Sequence, residues 1–136
     1  MNLNDGILQK FVDPKGDFNF TSRVFWSPKI CLFEKCTNKR KIKDKRFHYY
    51  ERVVTYDGEE YQTITEPIKG VNLPDRLEKI SNSIASHISN VTLERIKVVR
   101  MVLNFKISSD DQVIFLWCSA LRIDVSVICY YGLICI

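Results

Sequence analysis

Asn72-Leu73-Pro74-Asp75-Arg76-Leu77-Glu78-Lys79-Ile80-Ser81-Asn82-Ser83-Ile84-Ala85-Ser86-His87-Ile88-Ser89-Asn90-Val91 is the stretch that decides the fold. Leu77, Ile80, Ile84, Ile88 and Val91 recur at spacings of three and four, which traces one stripe of a helix. Glu78, Lys79, Asn82 and Ser86 fall on the opposite side. Pro74 suits the first turn, where its missing N–H is no loss, with Asn72 or Leu73 as the cap. A helix with a single apolar stripe has to bury it against something, and the chain on either side of it alternates with the period of a β-strand.

After Thr92, Val99, Met101, Leu103, Phe105 and Ile107 share one face, while Arg100, Asn104 and Lys106 share the other with Val98 and Val102. Ser108-Ser109-Asp110-Asp111 is turn chemistry, and Gln112 to Leu121 is almost wholly apolar. This predicts a hairpin whose second arm is a central strand covered on both sides. Before the helix, Val24, Trp26, Ile30 and Leu32 alternate with Phe25, Ser27, Lys29, Cys31 and Phe33 from Arg23 onward. Pro28 interrupts that run and cannot donate to a ladder, so the strand lies at an edge, is bulged, or splits in two. A second run from Phe47 to Tyr56 and a third from Glu59 to Thr65 flank Asp57-Gly58, a pair suited to a tight hairpin turn.

The order strand, hairpin, helix, hairpin implies an α+β fold: an antiparallel sheet of about five strands with one amphipathic helix packed across it. The length suits one domain. We expect a loosely attached lead-in over 1–22, the domain over 23–122 and an apolar tail over 123–136. That tail reads as a last core strand, or as a truncation or gene-model artefact; fourteen residues fall short of the roughly 20 a spanning helix requires. No membrane span is expected. The first residues carry no basic and apolar leader, which predicts cytoplasmic residence. Hydrophobic residues make up 46% of the chain and charged residues 26%, which argues for a packed core over a disordered chain.

The charge is unevenly placed. Lys35, Lys39, Arg40, Lys41, Lys43, Lys45 and Arg46 crowd into twelve residues opposed only by Asp44. Taking these seven bases and one acid from the totals of 20 and 16 leaves 13 and 15, so the whole net positive charge resides there. We expect an exposed connection between two strands that steers in an anionic partner. Lys39-Arg40-Lys41-Ile42-Lys43 also matches the loose pattern of a nuclear import signal. Tyr49 and Tyr50 follow the segment, and with Phe47 and His48 they offer rings for base stacking beside the charge. An acidic protein surface and a nucleic acid both fit this chemistry.

Reactive chemistry has less support. Cys31 and Cys36, with His48 further on, have an allowed spacing for zinc but no second pair in register, so no metal or other cofactor is expected. Cys118 with His87 is the one nucleophile and base pairing to weigh, yet the apolar strand around Cys118 predicts a buried, inert thiol. Glu59-Glu60 and Asp110-Asp111 are neighbours in turns and do not converge.

Arg23-Val24-Phe25-Trp26-Ser27-Pro28-Lys29-Ile30-Cys31-Leu32-Phe33-Glu34, Tyr50-Glu51-Arg52 through Thr55-Tyr56-Asp57-Gly58, and Arg100-Met101-Val102-Leu103-Asn104-Phe105 through Leu116-Trp117-Cys118-Ser119 resemble parts of an uncharacterised protein family of eukaryotes that build flagella. The resemblance covers residues 7–122. It implies no activity, cofactor or site residue, and it turns the partner expectation toward the cytoskeleton and the cilium. The expected function is a non-catalytic intracellular interaction module that docks an acidic partner through the basic segment. A nucleic-acid-binding domain using the same bases with Tyr49 and Tyr50, and a small cysteine-dependent enzyme, are the alternatives.

Overall fold

The computed structural model describes residues 8–125. Strands β1 (Phe18–Trp26), β2 (Cys31–Lys41), β3 (Thr63–Pro67), β4 (Ile96–Ile107) and β5 (Val113–Val125) form one antiparallel sheet in the order β3-β2-β1-β4-β5. Helix α1 (Tyr49–Val53) and a 3-10 turn (Glu60–Gln62) lie between β2 and β3, and the long helix α2 (Asn72–Val91) lies between β3 and β4. The fold is α+β, with one five-stranded antiparallel sheet and one main helix across it.

Pro28 splits the first run in two. Ser27 closes the β1–β2 turn: its hydroxyl donates to the Ile30 carbonyl at 2.9 Å and accepts from the Ile30 amide at 3.1 Å. Proline therefore sits in the turn, where the ladder needs no donor from it. The central strand also begins earlier than expected, at Phe18, so part of the expected lead-in is core. Asn19, Thr21 and Ser22 are buried.

Alternation along β1 assigns the two faces of the sheet. Val24 and Trp26 pair with Leu103 and Met101 of β4 and with Phe33 and Cys31 of β2. Against this face α2 sets Leu77, which is fully buried, with Ile80, Ile84 and Ile88 partly so. Val91, expected on the stripe, is 63% exposed, because the helix is ending there. Asn82, expected on the outer side, instead accepts a 2.7 Å hydrogen bond from the Trp26 indole. The residue at the helix cap is Val71, one before the expected Asn72, and it makes no side-chain capping bond. The helix ends where the Thr92 hydroxyl donates to the Ile88 carbonyl at 2.7 Å, followed by Leu93 and Glu94 in left-handed backbone, at φ 51° and 59°.

The opposite face is covered near β1 and β2 by residues 47–57, which are not the strand that their alternation predicts. His48 precedes α1, and its amide donates to the Glu51 carboxylate at 2.9 Å, so a carboxylate three residues into the helix takes up an otherwise free N-terminal donor. Asn38 of β2 is 1% exposed and donates to the carbonyls of Glu51 and Val54, both at 2.9 Å, which ties the end of α1 to the sheet. Asp57-Gly58 makes no hairpin. Gly58 is required by close approach, since a Cβ there would lie 2.6 Å from Cγ2 of Val54.

β5 is a sheet edge, which corrects the expectation of a central strand covered on both sides. Phe115, Leu121 and Ile123 are 44%, 55% and 42% exposed, and the ladder to β4 is broken by three register shifts. Such bulges twist an edge away from further pairing. Ile123, Asp124 and Val125 continue this strand, and the rest of the expected apolar tail lies outside the described residues. No helix among the described residues is long and apolar enough to cross a membrane.

Candidate functional site

The seven bases do not share a flexible connection. Lys35, Lys39, Arg40 and Lys41 belong to β2, and only Lys43, Lys45 and Arg46 lie in the turn that follows. Strand alternation sends Arg40 to the face covered by α1, opposite to Lys35, Lys39 and Lys41. The segment is therefore divided between two faces and a turn.

Most of these cations already have partners. Lys35 lies 3.5 Å from Glu66 on β3, Lys39 donates to the Tyr61 carbonyl at 2.8 Å, and Lys41 lies 3.0 Å from Asp17. Arg40 stacks 3.4 Å from the centre of the Phe47 ring and lies 3.8 Å from Glu51. Arg46 forks onto Asp44 at 2.9 and 2.8 Å, and those hydrogen bonds hold the Asp44 carboxyl down at about 2. Lys43 and Lys45 are exposed and make no ion pair or side-chain hydrogen bond to the described residues. The turn bearing them runs straight into α1, whose first two residues are Tyr49 and Tyr50, 50% and 58% exposed. Tyr49 meets Phe11 edge-on at 6.1 Å, and Tyr50 leans on His48 at 4.7 Å. The Arg52 guanidinium also lies 5.5 Å over the Tyr49 ring, so both rings are already engaged by neighbours.

The cysteines divide differently from expectation. Cys118 is exposed on the edge strand, which corrects the buried thiol inferred from its apolar neighbours, and its thiol donates to the Ala120 carbonyl at 3.1 Å. His87 lies exposed on α2. Cys36 is buried on β2, and burial, assisted by Glu78, pushes the Cys31 thiol up to about 11. Among the described residues no three His, Cys, Asp or Glu side chains cluster as a metal site would require.

A second site was not foreseen. Lys106 of β4 is only 5% exposed, on the sheet face opposite α2. Its ammonium donates to the Asn19 amide oxygen and sits 4.2 Å over the Phe11 ring, and none of the ion pairs includes it. Burial holds its pKa down at about 8, with Asp13 opposing the shift. A cavity of about 200 Å³ opens beside it, with Asn19, Thr21 and Thr55, the charged Lys10 and Asp57, and the apolar Phe11, Leu116 and Trp117 among its lining residues. The signal in the sequence was a lysine between Phe105 and Ile107 in a strand, read there as one more outward polar residue. What makes it inward is the coverage of that face by residues 9–12 and 53–57, which strand periodicity does not reveal. Comparison with protein-family models, with curated proteins and with solved structures finds no match.

Proposed function

We propose that the domain is an intracellular interaction module that docks an acidic protein surface through the turn between β2 and α1. The observation that carries this reading is the pair Lys43 and Lys45, exposed cations without partners among the described residues, beside the half-exposed Tyr49 and Tyr50. Lys41 adds to it, since its ion pair with Asp17 is exposed on both sides and exchanges readily for an incoming acid. Tyrosine is enriched at protein interfaces, and the free lysines beside it supply charge that steers an acidic partner in. An acidic protein is favoured over a nucleic acid because the bases are split between two sheet faces, so they do not form one phosphate track, and both rings are already engaged by neighbours. The resemblance to a family of flagellated eukaryotes supports a search among acidic tails of cytoskeletal proteins.

The test is a titration of the protein with fluorescent decaglutamate and with single-stranded RNA at two salt concentrations. K43Q/K45Q is expected to weaken decaglutamate binding about 5- to 30-fold, as two lost contacts of about 0.5–1 kcal/mol each imply. Equal, salt-erased binding of both probes, unaffected by K43Q/K45Q, refutes the reading. Preferential RNA binding with quenching of tyrosine fluorescence replaces it with the nucleic-acid alternative.

A further inference from the structure

We propose that the cavity beside Lys106 binds a small organic carboxylate, its anionic end on the Lys106 ammonium and its apolar body between Phe11 and Trp117. An ammonium has three N–H donors and no acceptor. Asn19 takes one, and the Phe11 ring faces the charge from 4.2 Å, so two donors have no acceptor among the described residues. A cation so deeply buried with no direct ion pair among the described residues, Asp13 acting on it only from beyond salt-bridge distance, is an expensive arrangement that a bound anion relieves. The neighbouring polar groups are spoken for: the Thr21 and Thr55 hydroxyls bond each other at 3.1 Å, and the Asn19 amide N–H donates to the Val53 carbonyl. They contribute polar lining to the cavity and leave Lys106 as its buried free donor, Lys10 being exposed.

Size and charge define the ligand class. A cavity of about 200 Å³ is smaller than the roughly 300–1,000 Å³ typical of drug-sized sites, so the ligand is small. One ammonium neutralises one negative charge. The cavity lining holds one further cation, Lys10, and one acid, Asp57, which offset each other, so a phosphate dianion on Lys106 would leave one negative charge in surplus. The wall contributed by Phe11, Leu116 and Trp117 favours an apolar body, so a monocarboxylate with a ring or short alkyl group fits best. Lys10, Asp13 and Asp57 are the other charged groups around Lys106.

Benzoate is the probe, with benzyl alcohol as its uncharged counterpart and inorganic phosphate as the competing anion. Calorimetric titration of the full chain is expected to show saturable benzoate binding at pH 7, no binding of benzyl alcohol, and weaker binding of phosphate. Affinity should fall about tenfold per pH unit above 8, as Lys106 loses its proton, in the wild type and in the K10Q and D57N controls alike. In the wild type, the ¹³Cε resonance of Lys106 should report a titration midpoint that benzoate moves upward, a readout that needs no variant. K106M should bind benzoate at least tenfold more weakly. No saturable binding, phosphate binding as tight as benzoate, an unmoved Lys106 midpoint, or an affinity flat to pH 10 overturns the assignment.

Discussion

Changing Lys106 to Met keeps the length of the stem and removes the charge, and the consequence should appear in how stability depends on pH. Lys106 titrates near 10.5 when unfolded and at about 8 when folded. Between those values the unfolded chain binds more protons, so stability rises with pH across that window; below it both states are protonated and the full cost of the buried charge is felt. The wild type should therefore gain on K106M by about 1.4 kcal/mol from pH 7 to 9 and by roughly 3 kcal/mol by pH 10.5. At pH 7 the two proteins should differ less than this, because Met leaves the Asn19 oxygen without its donor at a cost of about 1–3 kcal/mol. Cys31 and Tyr56, both pushed up by burial, work in the opposite direction: folding keeps them neutral, and their stabilisation is lost as pH rises above their unfolded values. They are present in both proteins and cancel in the difference. Urea unfolding of both proteins at pH 7, 8, 9 and 10 supplies the profile. A difference that stays constant through pH 10 means that Lys106 is not desolvated, and the reasoning fails.

Four further outcomes follow from the packing. Leu77→Ala, at the fully buried centre of the contact between α2 and the sheet, should cost about 2–5 kcal/mol in denaturant unfolding. Asn38→Leu strands the Glu51 and Val54 carbonyls and should cost about 2–4 kcal/mol, with amide exchange accelerating first around α1. Gly58→Ala forces a methyl against the stiff Val54 side chain and should lower stability by about 1–3 kcal/mol, which thermal unfolding measures. Thiol labelling of the native protein, read by peptide mass mapping, should modify Cys118 rapidly and leave Cys36 protected until denaturant is added.

The parts of the fold legible in the sequence are those in which one apolar period persists over a long element. The stripe of Leu77, Ile80, Ile84 and Ile88 is such a case, and so is the alternation from Met101 to Ile107, because each buries one continuous face. Residues 47–56 were illegible because their alternation over a short span suits a strand and a single helical turn equally. The deciding contacts, Glu51 onto the His48 amide and Asn38 onto the end of α1, are a cap with an unusual leading residue and a tertiary bond. Gly58 misled for a related reason: a glycine that permits a turn and a glycine that makes room for Val54 look the same in a sequence. The apolarity of β5 was visible, but its place at the edge was not, since composition does not say which neighbour is missing. At the candidate site, the count of bases was legible and their engagement was not. Asp17, Glu51 and Glu66, which lie outside the basic segment, meet Lys41, Arg40 and Lys35 only once the chain is folded.

Docking of an acidic partner at the turn after β2 can be followed residue by residue in the backbone amide resonances of the full chain during titration with decaglutamate. Shifts are expected to concentrate at residues 41–50, strongest at Lys43 and Lys45 and lost in K43Q/K45Q. Shifts scattered over cationic positions elsewhere, such as Lys69, Lys79 and Lys97, with the 41–50 resonances unmoved, would contradict it.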